Sequence, residues 1–530
     1  MRLFTKRMAE ISFFGYLKNI SYRHLLSIAI LLLFTCTLNS QDSPVRQSGK
    51  KKIILRHADE DLMIRNNVTG FDIHHLVGNV FFEHNEITMT CDSAHFSSGE
   101  NHVTAFSRVH IEQGDTLDLH GDHLFYDGKT EIAIVTGNVE LIDKETHLYT
   151  NAIHYDVKNE IATYNENGRI INADNTLTSI TGVYFVSDNI FHFKDSVKIV
   201  NPEYVMTADT MDYNTQTETA FFTGPTELNG DSIYLYCEKG WYDTKNDVTT
   251  IWKNALIDNR QQIIHGDSLY FDDQSGYGQS FGNVVIEDTT NNLVISGNYA
   301  WYYKQPESFM VTDSAMFMQI SGSDSLFLHA DTISARTLTD TADVGFRLMK
   351  AYYGCRIFSA NMQARCDSLS YSFQDSVIRL YTSPVIWSEE NQLTSDSMAV
   401  FTKNRKTDRL ELYNNAFITS QIDTIRYNQI KGRSLTGYFK NNELYKINVN
   451  GNGETLYYLI DGEEIAGVNQ GTSASIEIFV EDGKVSEIYE YQNPDGFIDP
   501  PDPAIPKKLR LPGFFWFDNV RPKDKMDIFR

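Results

Sequence analysis

Apolar and polar residues alternate along most of this chain, and the alternation changes phase at regular intervals. A short phrase marks each change: a small residue, then Asp or Asn, then an apolar residue two further on, then an aromatic two beyond that. Cys91-Asp92 leads to Ala94 and Phe96, Gly121-Asp122 to Leu124 and Tyr126, and Thr150-Asn151 to Ile153 and Tyr155. Ala208-Asp209 leads to Met211 and Tyr213, Gly266-Asp267 to Leu269 and Phe271, Gly297-Asn298 to Ala300 and Tyr302, and Cys366-Asp367 to Leu369 and Tyr371. Weaker copies start at Thr181, Cys237, Ala330, Ser395 and Gly432, and successive starts lie about 29 residues apart. Such a period signals a stacked array, in which each unit buries its apolar face only against its neighbours.

Parity within the phrase predicts strands rather than helices. Apolar residues fall two and four positions before the small residue, as with Leu119 and Leu117 before Gly121, and three and five positions after it. A strand of period two cannot keep both sets on one face. The chain must break phase at the small-Asp pair, as a bulge or bend would make it do, for both sets to face one core. A small residue suits a crowded corner, and Asp or Asn suits a turn because its side chain can bond nearby backbone. Each unit is then two or more short strands folded about a corner. The fold class is all-β, an elongated and repetitive β-jelly roll or solenoid-like array. No period of 3.6 persists after the first 40 residues.

The ends of the chain break this pattern. Lys6, Arg7, Lys18 and Arg23 precede the apolar run Leu25 to Phe34, which is too short to span a bilayer, and a polar stretch from Thr37 to Asp42 follows. That order is the order of an export signal over residues 1–40, with cleavage near Ser40-Gln41. Cys36 stands where a lipid anchor would attach, but Phe34 and Thr35 fit a lipoprotein site poorly. Residues 41–52 read as a linker, 53–340 as the array, and 341–443 as its continuation or a second array. The stretched period around 340–365, with Arg347, Lys350, Arg356 and Arg365, reads as an insertion. Residues 444–492, with longer strands and turns at Asn450-Gly451, Asp461-Gly462 and Asp482-Gly483, read as a capping unit. Residues 493–530 form a Pro-rich tail ending in the aromatic cluster Phe514-Phe515-Trp516-Phe517, expected to clamp the protein's own surface or cover its last strand edge.

Charge and chemistry narrow the function. Seventy acidic against 46 basic residues leave a formal charge of −24 with no basic stripe, which argues against nucleic acid and against an anionic bilayer surface. Beyond Cys36, three of the four cysteines sit at small corner positions, where Gly, Ala and Thr serve equally, so small buried side chains are expected rather than a disulfide framework. No Cys-x-x-Cys, Walker loop, dinucleotide fingerprint or His-Glu-x-x-His occurs. His74-His75 read as edge histidines, and the Ser after each corner Asp is structural because it recurs in unit after unit. The expectation is a non-enzymatic protein without cofactor, metal or catalytic residues.

The corner phrases, with Gly78-Asn79-Val80, Gly137-Asn138-Val139 and Gly282-Asn283-Val284 between them, resemble the organic-solvent-tolerance or OstA-like family. That family includes the periplasmic lipopolysaccharide-bridge protein LptA and the periplasmic N-terminal domain of the translocon LptD. The resemblance is best from Ile53 to Gly297 and returns between Asp367 and Leu412. It implies a V-shaped β-jelly roll whose groove holds the acyl chains of lipopolysaccharide and whose ends stack edge to edge on envelope transport proteins of the same fold. It further implies a periplasmic location and a conduit towards the outer membrane. Candidate groove residues are those that recur on one parity after the corner: Leu124, Tyr126, Ile153, Tyr155, Met211, Tyr213, Leu269 and Phe271. Core packing is the competing role for each of them. The alternative reading is a secreted β-helix that binds or cleaves polysaccharide, a fold that would lack the phase break.

Overall fold

The computed structural model describes residues 52–530, apart from 66–69, 115–116, 144–145, 173–174, 261, 291, 321–324, 341–343, 404–405, 441–442, 463, 482–483 and 501–508. The export segment with Cys36 and Ser40-Gln41, the linker up to residue 51, the Asp482-Gly483 turn, and Pro501, Pro503 and Pro506 lie outside the described residues. The rest is antiparallel β-structure, 36 strands followed by two three-residue 3-10 turns near the C-terminus. Among the described residues, no helix is long and apolar enough to cross a membrane. The chain divides into two compact units, one ending at Thr249 and one running from Thr250 to Arg530.

The first unit is a meander in which each strand pairs with the next. Asp72–His84 pairs with Ile87–Ser97, which pairs with His102–Gln113, and the ladder continues through Leu117–Asp127 and Ile132–Asp143 to Thr146–Asp156. One period of the repeat thus spans two strands, with the phrase itself inside one of them. Further on, some strands are split at the corner into two short ones. Ile161–Tyr164 and Gly168–Asn172 each pair separately with Thr146–Asp156.

The phase break lies at the small-Asp pair, and its cause is on the strand opposite. In Leu117–Asp127 the buried positions are 117, 119 and 121, then 124 and 126. In the neighbouring strand two consecutive residues, Gly137 (φ 78°) and Asn138 (φ 44°), take the left-handed conformation. The register therefore slips there by one residue, with 137–139 opposite 121–122 of Leu117–Asp127. Such a bulge turns both strands while keeping apolar residues inward on both arms. The same left-handed pairs occur at Gly78-Asn79, Ser107-Arg108, Asp195-Ser196, Gly282-Asn283, Asp313-Ser314 and Asn414-Asn415. The corner Asp accepts a hydrogen bond from the bulge residue across the ladder instead of from nearby backbone. Asn138 Nδ2 donates to Asp122 at 2.7 Å, Asn283 Nδ2 to Asp267 at 3.1 Å, and Arg108 Nε to Asp92 at 2.9 Å. Crowding is real at this point, since a Cβ on Gly121 would lie 2.4 Å from Val135 Cγ1 and one on Gly432 2.4 Å from Val449 Cγ1.

The second unit repeats the arrangement through Gln262–Asp272, Tyr277–Asp288, Leu293–Lys304, Glu307–Gln319, Leu326–Thr339 and Gly345–Phe358. Its last strands are its longest, with 19 residues in Glu443–Asp461 and 18 in Glu464–Glu481. Asn450-Gly451 does not make a hairpin turn. Gly451 (φ 77°) and Asn452 (φ 52°) are another bulge inside Glu443–Asp461, because the left-handed preference of Gly and Asn serves either purpose. A turn does follow at Asp461-Gly462, where Gly462 has φ 64°.

The C-terminal residues cross the outer face of this unit rather than its last edge. A row of outward residues runs over the strands from Gln363 through Trp387, Gln392, Thr419 and Gln429 to Leu456. Gln429 donates to the Leu509 carbonyl at 3.1 Å and accepts from the Leu511 N–H at 2.9 Å. Gln392 treats Phe515 and Phe517 in the same way, at 2.8 and 2.7 Å. Arg521 reaches Gln363 Oε1 at 2.8 Å, and Arg510 stacks between Tyr427 and Phe514. Buried Ile528 and the Phe529 ring, 4.7 Å from His329, complete the docked segment.

Candidate functional site

In the first unit the bulge sets two inward rows against each other. One arm carries an apolar row from Phe82 through Met89, Ile111, Leu119 and Leu141 to Leu148, each residue the cross-strand partner of the next. The other arm alternates large and small: Phe96, Val103, Tyr126, Ala133, Tyr155 and Ala162. A small residue beside each aromatic lets the ring lean across the interior, where it meets the facing arm.

Tyr126 and Tyr155, two aromatics of the phrase, and Tyr184 in the same row end in a hydroxyl for a reason visible in this unit. Tyr126 Oη lies 2.5 Å from His84 Nδ1, Tyr155 donates to Gln113 Oε1 at 2.5 Å, and Tyr184 donates to Asp143 Oδ2 at 2.9 Å. All three partners are buried polar residues on the facing arm, 41 or 42 residues earlier in the chain. Thr215 adds a second hydrogen bond to Asp143 at 2.8 Å. Burial pushes all three phenols upward and keeps them protonated, so each remains a donor. These contacts latch the two arms together, and Phe82 and Tyr155 are fully excluded from solvent.

The second unit carries the same rows without such latches among the hydrogen bonds seen. One row runs Ile264, Ile286, Ile295, Phe317, Leu328 and Ile357, and the facing row runs Phe271, Gly278, Tyr302, Phe309, Ala335 and Met349. Here Phe271, Ile286, Phe309, Phe317 and Met349 are only partly buried, and Tyr302 is 41% exposed. Phe271 stands where Tyr126 and Tyr155 stand in the first unit, so that ring cannot hydrogen-bond across the interior.

The eight residues expected to line a groove divide accordingly. Leu124, Tyr126, Ile153, Tyr155, Met211 and Leu269 are buried, and Tyr213 and Phe271 are half-buried. All eight continue the inward parity that follows the corner. Sequence reasoning did not single out the polar partners His84, Gln113 and Asp143. Their signal was present as polar residues on the inward parity of otherwise apolar arms. A surface depression of about 870 Å³ lies elsewhere in the first unit, over Asn138, Asn151, Asn167 and Ser196. Its lining mixes charged residues, Glu140, Glu166 and Arg169, with Val139, Tyr149 and Ile180.

The four cysteines among the described residues are buried and free, and Cys355 lies directly opposite Cys366 across the ladder. His74 and Asp61 are paired at 2.9 Å near the first edge, and His75 meets His95 edge to face, with centroids 4.3 Å apart.

Residues 50–209 match the sequence profile of the OstA-like protein family. No curated protein matches the chain. Among solved structures, one match is the crystal structure of LptH, the LptA-homologous periplasmic component of the lipopolysaccharide transport device from Pseudomonas aeruginosa. It is 19% identical over 20% of this chain and 79% of that one, with a TM-score of 0.18. The family match falls on the regular two-strand repeats and their corners, and the chain carries an OstA-like segment over residues 50–209.

Proposed function

We propose that this protein is a periplasmic lipid-binding conduit that carries lipopolysaccharide towards the outer membrane by passive binding, without enzymatic chemistry. The observation that carries the reading is the pair of facing apolar rows in the second unit, of which Phe271, Ile286, Phe309, Phe317 and Met349 keep part of their surface in solvent. An acyl chain laid between them gains about 0.8 kcal/mol for each CH₂ removed from water. Because the rows pass from strand to strand without a polar break, a chain can move along them between equivalent positions. The eight groove residues take part to different degrees. Half-buried Tyr213 and Phe271 meet a ligand first, and the six buried ones meet it only where the arms part.

The ends support partners of the same fold. The strand Glu60–Arg65 leaves Leu62, Met63 and Ile64 exposed, and Asp495–Asp499 leaves Phe497 and Ile498 exposed. Terminal strands with apolar residues in water invite β-augmentation by a similar edge.

The test is mass spectrometry of lipids that co-purify with the protein from envelope extracts. Lipopolysaccharide or its acylated core is expected with the native protein and depleted with Phe309→Arg and Phe317→Arg. An extract with no lipid above that of a control envelope protein overturns the reading.

A further inference from the structure

Three side chains on the outer face of the first unit converge on one point. His110 lies in the strand His102–Gln113, and His120 lies directly opposite it in Leu117–Asp127. Asp118 precedes His120 by two residues and therefore shares its face. Both imidazole Nε2 atoms lie 2.8 Å from Oδ1 of Asp118, and the two rings stack in parallel with centroids 4.2 Å apart. One ligand atom from each of the three residues falls within 4.8 Å of the others, and all three residues are partly exposed. Glu112 Oε1 stands 3.7 Å from His110 Nε2, within reach of the same point. Neither the apolar interior nor the corner motif requires this grouping.

We propose that His110, Asp118 and His120 form a divalent transition-metal site, selective for zinc-like ions, on the outer face of the OstA-like segment. Two imidazole nitrogens and one carboxylate oxygen are a ligand set that zinc accepts, with a fourth position left for water or Glu112. Magnesium and calcium prefer a shell of oxygens alone, whereas two of the three ligands here are imidazole nitrogens. Tetrahedral bonds of about 2.0–2.1 Å place neighbouring ligand atoms about 3.3 Å apart. The present 2.8 Å contacts need open by only about half an ångström, a rotamer adjustment rather than a strand movement. Both strands sit in the middle of a regular ladder, so the ligands are held before the ion arrives. Glu112 and Asp118 add negative charge beside the imidazoles and favour a cation there.

Isothermal titration calorimetry of the purified full chain, stripped with a chelator, tests the site with zinc, nickel and magnesium chlorides. One equivalent of zinc and of nickel is expected to bind, with no comparable heat from magnesium. His120→Ala and Asp118→Ala should each weaken zinc binding about tenfold or more while leaving the far-ultraviolet circular dichroism unchanged. His192→Ala, which removes an imidazole paired only with Asp212, should leave it intact. Cobalt substitution gives an independent readout through the visible absorption of a four-coordinate ion. Absence of zinc binding, equal affinity for magnesium, or zinc affinity unchanged in His120→Ala and Asp118→Ala each overturns the proposal.

Discussion

At the scale of single residues, the corner shows which parts of a strand repeat are written in side chains and which in backbone. Gly121 and Asp122 were recognisable because the same chemistry recurs at each corner: one must be small and the other must accept a hydrogen bond. The left-handed pair opposite was legible only where it was spelled Gly-Asn. Ser107-Arg108, Asp195-Ser196 and Asp313-Ser314 adopt the same conformation with side chains that share no obvious preference, so the ladder imposes it. Gly121→Leu should overpack against Val135 and destabilise the protein by about 1–3 kcal/mol in urea denaturation. Lys129→Leu, at an exposed turn nearby, should change stability by no more than about 0.5 kcal/mol. Equal, small effects at both positions would remove the crowded corner from the account. The corner cysteines follow the same logic. Burial pushes the Cys91 thiol up to about 11 and that of Cys237 up to about 12, and hydrogen bonding with Cys355 together with burial raises Cys366 further. Thiol reagents at pH 8 should therefore label these three slowly in the folded protein and rapidly in denaturant, because the thiolate is the reactive form. Rapid labelling of the native protein would contradict their burial.

At the scale of elements, the docked C-terminal segment depends on a device that no local pattern announces. Gln363, Gln392 and Gln429 stand on different strands, and only the ladder register brings them into one row. Gln392 and Gln429 each offer an amide that donates to one backbone group of the tail and accepts from another, as a neighbouring strand would. The aromatic cluster was legible as something that must dock, since four adjacent rings in water would aggregate. Its destination was not, because an outer face covered by a distant segment reads like a core position. Trp387 is fully buried there and donates to Gln392 at 3.2 Å. A stop after Pro500 should leave the β-structure intact by circular dichroism. It should also uncover Trp387, Tyr427 and Leu456, shift tryptophan emission to longer wavelength relative to a full-length Trp516→Phe control, and increase self-association in sedimentation velocity. Unchanged emission would show that the segment does not cover Trp387 in solution.

At the scale of the whole molecule, the recurring phrase reports that the interior exists but not whether it is closed. Tyr and Phe occupy the same position of the repeat and score alike as apolar aromatics, yet only Tyr can reach a polar group on the facing arm. Tyr126, Tyr155 and Tyr184 do so in the first unit, while Phe271 and the exposed Tyr302 do not in the second. The partners lie 41 or 42 residues away in sequence, beyond any window that tests alternation. Access to lipid should follow this difference. Photo-crosslinking residues placed at Phe271, Phe309 and Phe317 should capture lipopolysaccharide in living cells more strongly than the same group at Ile153 or Tyr155. Phe125, which points outward on the first unit, should capture none. Equal capture at Ile153 and Phe309 would mean that the tyrosine latches open during transport. Capture at Phe125 alone would place the lipid on the outer face and exclude the interior as its path.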